Sequence, residues 1–272
     1  MGSRAQMYKY EFDRVRDDKW RLQIWMCETY APLLKEYLPE IEFDFKEGLK
    51  GTCTASLSIT KEEEQDVRRL LDVFKNHVLL KKSENIEPYF EDELDVCYAL
   101  DYNLAEDFIT KEVGYTKCGS LEHKAKENQD ADACAQLLET LANFCETHPL
   151  YRKAVTIMPI PPNPSKTFHL PVELTRELAE RTGKRDGTAM IRKVRETPKL
   201  QDLPLAEKLN ALKGAIEITG NVEGKSIILI DDLYQSGSTM WTVAKLLKKQ
   251  GARRVLGLAC VKSWRDTDNI ND

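Results

Sequence analysis

The 272-residue chain has no apolar run near the roughly 18 residues that a membrane-crossing helix needs. That removes a helical membrane protein from consideration. No Cys-x-x-Cys pair occurs, which removes a zinc ribbon. The seven cysteines stand at 27, 53, 97, 118, 134, 145 and 260, odd in number and scattered. A disulfide framework is not expected in a chain this long and core-rich, and a reduced cytoplasm is the natural compartment. Met1 to Gln6 contain no apolar h-region, so a signal peptide is not expected either. His77, His123 and His148 each lack a second ligand at metal spacing. The chain contains no internal repeat and no low-complexity tract.

Charge is divided unevenly between the two halves. Residues 1–150 hold 19 basic and 31 acidic side chains, whereas residues 151–272 hold 21 and 14. The acidic first half argues against a protein that coats nucleic acid over its whole length. The basic second half suits a polyanionic ligand such as pyrophosphate, and leaves nucleic acid open as a partner.

Several segments have a clear period. Residues 12–38 read as a long helix, with Trp20, Ile24, Leu33, Leu34 and Leu38 as core positions and Pro32 as a break. Residues 52–60 alternate: Cys53, Ala55, Leu57 and Ile59 on one face, threonines and serines on the other. That pattern is a half-buried strand. Lys61 to Leu80 reads as an amphipathic helix, and its Glu62-Glu63-Glu64 start suits the helix dipole. A strand is expected within 92–100. Residues 1–110 contain no catalytic constellation and read as an α+β accessory or oligomerising region, a possible surface for a second copy or a protein partner. From Tyr115 the pattern becomes α/β: helix 131–147, strand 153–160, helix 172–181, strand 189–194, helix 205–212, strand 214–218, and a final strand 254–261. Residues 111–272 are thus expected to form one domain.

The most informative stretch is Ile227-Ile-Leu-Ile-Asp-Asp-Leu-Tyr-Gln-Ser-Gly-Ser-Thr239. Its four leading apolar residues read as a strand buried on both faces. Asp231 and Asp232 follow, and then a small-residue turn, Gln235 to Thr239, opens a helix. Ligands of open α/β sheets bind at the carboxyl ends of the strands. Free N–H groups at a turn and helix start favour a phosphate, and Gly237 lets the backbone close on it. Ser236, Ser238 and Thr239 add hydroxyl donors. Two carboxylates beside a phosphate fit sugar hydroxyls better than the phosphate itself. Together these features describe a ribose 5-phosphate site.

On these residues the chain resembles the type I phosphoribosyltransferases, whose signature for phosphoribosyl diphosphate (PRPP) reads apolar strand, two acids, then a Thr/Ser/Gly loop. The resemblance implies an open, mainly parallel sheet flanked by helices, with an α+β N-terminal region. It implies a PRPP site made by Asp231, Asp232, Gln235, Ser236, Gly237, Ser238 and Thr239. Pro159-Ile-Pro-Pro-Asn-Pro-Ser-Lys166 then stands where the family has its diphosphate loop, which places that role on Asn163, Ser165 and Lys166. Arg195-Glu-Thr-Pro-Lys-Leu-Gln-Asp202 stands where the family has a flexible closing loop. Lys193, Arg195 and Lys199 are its candidate cations, and Lys199 joins Asp231 and Asp232 as a candidate catalytic residue. The order of elements, with Glu207-Lys-Leu-Asn-Ala-Leu-Lys-Gly214 ahead of the signature, is similar to the ComF subgroup and runs from Tyr115 to Cys260 and slightly beyond. The chain lacks that subgroup's zinc ribbon, and Lys166-Thr-Phe-His-Leu-Pro171 replaces its Arg-Gly-Phe-Asn-Gln run.

The resemblance implies transfer of 5-phosphoribosyl from PRPP to a nitrogenous base or other nucleophile with release of diphosphate. Mg²⁺ is expected to enter with PRPP, without a certain protein ligand. Two other readings are compatible with the same residues: a non-catalytic PRPP or nucleotide sensor, and an effector of a toxin–antitoxin or phage-defence system. No motif names the acceptor.

Overall fold

The computed structural model describes residues 7–49, 51–80, 93–107 and 109–264. The chain divides into two compact units, Met1–His77 with Thr147–Arg152, and Val78–Glu146 with Lys153–Asp272.

The first unit begins with strands β1 (Met7–Arg16) and β2 (Lys19–Cys27), followed by helix α1 (Tyr30–Tyr37) and strands β3 (Lys46–Glu47) and β4 (Thr52–Thr60). Helix α2 (Lys61–Asn76) follows. The strands form an antiparallel sheet in the order β1-β2-β4-β3. The helix expected over 12–38 is therefore a β-hairpin with one short helix after it. Trp20 and Ile24, four apart, share a face under both the helical and the strand period, so that pair cannot separate the two. The even positions Leu22, Ile24 and Met26 are fully buried, which is the strand period. They pack with Cys53, Ala55 and Ile59 of β4 and with Val67, Leu70, Leu71 and Phe74 of α2 as the buried set of this unit. Thr60 and Glu63 form a reciprocal capping box that fixes where α2 starts. His148 lies between the rings of Tyr37 and Tyr151, each centroid 4.8 Å away. Burial pushes its pKa down to about 3.

The second unit contains β5 (Val78–Leu79), β6 (Val96–Tyr102), the hairpin β7 (Leu104–Glu106) and β8 (Val113–Tyr115), α3 (Lys117–Glu127) and α4 (Ala131–Thr147). After the short α5 (Pro149–Lys153) come β9 (Thr156–Pro159), α6 (Leu170–Thr182), β10 (Arg185–Asp186) and β11 (Ile191–Lys193). The chain closes with α7 (Leu205–Leu212), β12 (Ile216–Ile218), β13 (Ser226–Tyr234), α8 (Ser238–Lys249) and β14 (Arg254–Lys262). The main sheet runs β10-β9-β13-β14-β6-β5, parallel except for the antiparallel edge strand β5. β6 enters this sheet by pairing Leu256↔Val96 through Lys262↔Tyr102, so the strand expected within 92–100 belongs to the parallel sheet. Position 110 consequently falls inside the second unit.

β13 is central, and Ile227 to Ile230 are all fully buried. Ile227 and Leu229 share one core with Met240, Val243, Ala244 and Leu247 of α8. Successive side chains of a strand alternate between faces, so Asp231 continues the α8 side and Asp232 the opposite side. α3 packs on β14 and β6, and α6 packs on β9 and β13. The expected open α/β fold is present, with a separate antiparallel N-terminal sheet.

Candidate functional site

Asp231 and Asp232 are the sixth and seventh residues of β13, within the strand's C-terminal end rather than after it. β9 ends beside them, because Pro159 is in register with Ile230 and the Ile160 N–H donates to the Ile230 carbonyl at 2.8 Å. The Pro-rich loop therefore leaves the sheet next to the acids, at the carboxyl ends of two neighbouring parallel strands. This is where an open α/β sheet binds its ligand.

The small-residue turn after β13 is supported by two aromatic residues. Trp241 Nε1 donates to the Tyr234 hydroxyl at 2.9 Å, and both side chains are buried. Gly237 caps α8 with φ of 79°. A Cβ there would overlap the Tyr234 hydroxyl and press on the Trp241 ring, so this position requires glycine for space as well as for backbone conformation. Ser236 Oγ lies 3.1 Å from Ser238 Oγ, and Trp241 N–H donates to the Gly237 carbonyl. Gln235 and Thr239 flank this turn and are half-buried.

The two acids differ in environment. The Asp232 Oδ2 is 2.9 Å from Lys126 Nζ, reaching from α3, and its Oδ1 accepts the Leu233 N–H at 2.7 Å. Burial acts to raise the Asp232 carboxyl, but Lys126, its hydrogen bond and the Leu233 N–H outweigh burial and hold it below the usual carboxylate range. Asp231 is pushed well above that range by burial and by the neighbouring Asp232 charge, with Lys126 opposing. One acid is held ionised and the other resists ionisation. Glu122, one helical turn before Lys126, lies 3.5 Å from the same ammonium and is only 7% exposed. Burial raises its carboxyl.

The Pro-rich loop is joined to the segment after β11. Asn163 Nδ2 donates to the Thr197 carbonyl at 3.1 Å, and Asn163 Oδ1 accepts from the Thr197 hydroxyl at 2.8 Å and from Lys193 Nζ at 3.0 Å. The Ser165 N–H donates to Glu196 at 2.8 Å. Burial and the nearby Lys166 lower the Lys193 ammonium, while Asp231 and Glu196 favour its charge. Asn163, Lys166, Lys193 and Asp231 thus share one electrostatic neighbourhood. An open cleft of about 350 Å³ lies against this loop, lined among others by Asn163, Lys166, Arg176 and Lys193.

Two candidate cations lie elsewhere. Arg195 Nη2 donates to the carbonyls of Ala211 and Lys213, which caps the end of α7. Lys199 is exposed, at the start of a 3-10 turn over Leu200–Asp202. Neither is brought to Asp231 or Asp232.

Four residues of the site were not singled out in the sequence: Glu122, Lys126, His169 and Thr197. His169 precedes α6, and its buried Nδ1 has no hydrogen-bond partner. Burial pushes its pKa down to about 4, helped by Lys166, Lys126 and Lys193 and opposed by Asp232. Its neighbours therefore span the Pro-rich loop, α3 and β13. The only local signal was the i, i+4 spacing of Glu122 and Lys126, which by itself describes an ordinary helix pair.

Residues 130–266 match the sequence model of the phosphoribosyl transferase domain family. Among curated proteins, the chain is similar to a ribose-phosphate pyrophosphokinase of a Nostoc species, 36% identical over 66 residues, or 22% of this chain and 20% of that protein. It is also similar to the ribose-phosphate pyrophosphokinase of Gloeobacter violaceus, 37% identical over 81 residues, or 27% of this chain and 24% of that one. The chain thus spans about a fifth to a quarter of the length of these curated relatives. Among solved structures, a hypoxanthine phosphoribosyltransferase from Staphylococcus aureus aligns at 14% identity over 60% of this chain and 72% of that one, with a TM-score of 0.31.

Proposed function

We propose that this chain, which belongs to the phosphoribosyl transferase domain family, binds PRPP at the carboxyl end of β13 and transfers its 5-phosphoribosyl group to a nitrogen nucleophile. The observation that carries the proposal is the joint placement of three parts. Asp231 and Asp232 lie in the C-terminal part of one buried parallel strand, the Gly237 turn after that strand opens α8, and the Pro-rich loop leaves the adjacent strand.

In this reading the turn from Gln235 to Thr239 holds the 5-phosphate through N–H and hydroxyl donors. Asp231 and Asp232 accept hydrogen bonds from the 2- and 3-hydroxyls of the ribose. Asn163, Ser165, Lys166 and Lys193 face the diphosphate. The bond from ribose C1 to the diphosphate oxygen breaks ahead of bond formation to the incoming nitrogen. Positive charge then develops on the ring, and the nearby carboxylates favour it. The electron pair of the broken bond leaves with diphosphate, and the nucleophile's proton passes to solvent. Closure of the segment over Arg195–Asp202 would exclude water and bring Lys199 to the leaving group.

Among the described residues no group of three or more His, Cys, Asp and Glu side chains is arranged to hold a metal. The proposal places Mg²⁺ on the phosphates of PRPP, where it neutralises charge on the leaving group.

Within the family, the order of loops supports a ComF-like member without a zinc ribbon. The accessory role belongs to the antiparallel unit, because β6 serves the main sheet. A non-catalytic PRPP sensor is the second reading. It is favoured by the altered run at Lys166–Pro171, whose His169 interacts electrostatically with Asp232. Titration of PRPP with Mg²⁺ and product analysis over a panel of nucleobases separates the two. Binding with turnover supports the transferase, binding without turnover supports the sensor, and no binding removes both.

A further inference from the structure

We propose that Lys126, held between Asp232 and Glu122, is a positioning residue of the phosphoribosyl site that keeps Asp232 oriented and ionised for the ribose. The inference rests on the PRPP reading. It adds a residue from a helix outside the signature and both loops.

The geometry has three parts. Lys126 Nζ is 2.9 Å from Asp232 Oδ2, and its side chain is 31% exposed beside an Asp232 side chain that is 14% exposed. An ion pair this sheltered is screened far less than a surface pair. Asp232 Oδ1 is fixed at the same time by the Leu233 N–H at 2.7 Å. The carboxylate plane is thus set from both oxygens, each of which retains a lone pair for a sugar hydroxyl. Glu122 supplies the third part. Its buried Oε1 lies 3.5 Å from Lys126 Nζ. A carboxyl buried at 7% exposure is costly on a helix unless it serves something. Its place beside the ammonium, which also pairs with Asp232, favours the charged form of Lys126.

The titratable groups facing Asp232 come from four elements: Lys126 and Glu122 on α3, His169 before α6, Asp231 on β13 itself and Cys260 on β14. Lys126 is the one cation among them within ion-pair distance of Asp232 in the described residues. Without it, Asp231 and Asp232 would be adjacent buried carboxyls that cannot both ionise at low cost.

The test uses the full chain with Lys126→Met, Lys126→Arg and Glu122→Gln. Circular dichroism and urea unfolding first establish that each variant folds, and Lys126→Arg keeps the test available should Lys126→Met unfold. PRPP affinity with Mg²⁺ is then measured from pH 6 to pH 8.5. Lys126→Met is expected to bind about 10- to 100-fold more weakly at neutral pH. The loss should grow toward pH 6, as Asp232 takes up a proton that Lys126 normally keeps away. Lys126→Arg should recover most of the affinity, and Glu122→Gln should fall between. Wild-type affinity in Lys126→Met with a superimposable pH profile overturns the inference and leaves the PRPP reading intact. A separate arm needs no ligand: carboxyl NMR of Asp232 should show its titration moved to higher pH in Lys126→Met. An unmoved titration overturns the inference whatever PRPP does. If wild type binds no PRPP while the titration moves, the failure lies with the PRPP reading.

Discussion

Asn163 and Thr197, 34 residues apart in the chain, are joined by two hydrogen bonds: Nδ2 to the Thr197 carbonyl at 3.1 Å, and the Thr197 hydroxyl to Oδ1 at 2.8 Å. The pair ties the candidate diphosphate loop to the candidate closing loop. Lys193 completes the triangle by donating to both side-chain oxygens, at 3.0 and 3.1 Å. Thr197→Val removes the hydroxyl and leaves Asn163 Oδ1 with one donor fewer. We expect a stability loss of about 1 kcal/mol. We also expect faster amide exchange over 194–200 and weaker PRPP binding, all measurable on one sample by hydrogen exchange and calorimetry. Unchanged exchange would show that the loops are not coupled through this pair.

Gly237 cannot be replaced cheaply. Alanine there carries a Cβ into the Tyr234 hydroxyl at a positive φ. Gly237→Ala is expected to cost roughly 1–3 kcal/mol in urea unfolding and to abolish PRPP binding by displacing the turn. Full binding with normal stability would mean that the turn has another conformation available.

The two acids should respond oppositely to neutralisation. Asp231 has a raised folded-state value, so its contribution is favourable below the unfolded carboxylate range and is lost as pH rises through the folded value. Asp232 has a depressed value, so its contribution is present above the unfolded range and is lost as pH falls through the folded value. At neutral pH, Asp231→Asn should therefore stabilise the ligand-free protein, by about 0.5–1 kcal/mol. Asp232→Asn should destabilise it, by roughly 2–4 kcal/mol, because Lys126 loses the nearer of its two carboxyl partners. Both substitutions should weaken PRPP binding. Urea unfolding at pH 7 and pH 4 reads the difference, which should shrink at the lower pH. Equal effects of the two substitutions would contradict the asymmetry.

Lys199 is exposed and makes no ion pair with either acid among the described residues. If closure brings it to the leaving group, Lys199→Ala should lower turnover about tenfold or more while leaving PRPP affinity within about twofold. Loss of affinity with unchanged turnover would instead make it a ground-state contact.

Where one period dominated, the sequence was sufficient. The run Ile227 to Ile230 is fully buried at the sheet centre, and α7 spans Leu205–Leu212 as expected. The reading failed over 12–38, where Trp20 and Ile24 satisfied a helix and a strand alike, and the alternation of Leu22, Ile24 and Met26 decided the outcome. The site divides in the same way. Asp231, Asp232 and the turn to Thr239 are contiguous and could be read together. Lys126 and His169 reach Asp232 only because α3 and α6 pack on the sheet, and contacts at that separation leave no local pattern. Arg195 illustrates the converse: a cation in the expected place is used to cap α7.

The central claim is that the end of β13 holds PRPP. Isothermal titration of PRPP with and without Mg²⁺, on wild type and on the Asp231→Asn/Asp232→Asn double variant, tests it most directly. The account predicts saturable wild-type binding that is strengthened by Mg²⁺ and lost in the double variant. No heat of binding in wild type, or equal binding in the double variant, would contradict it.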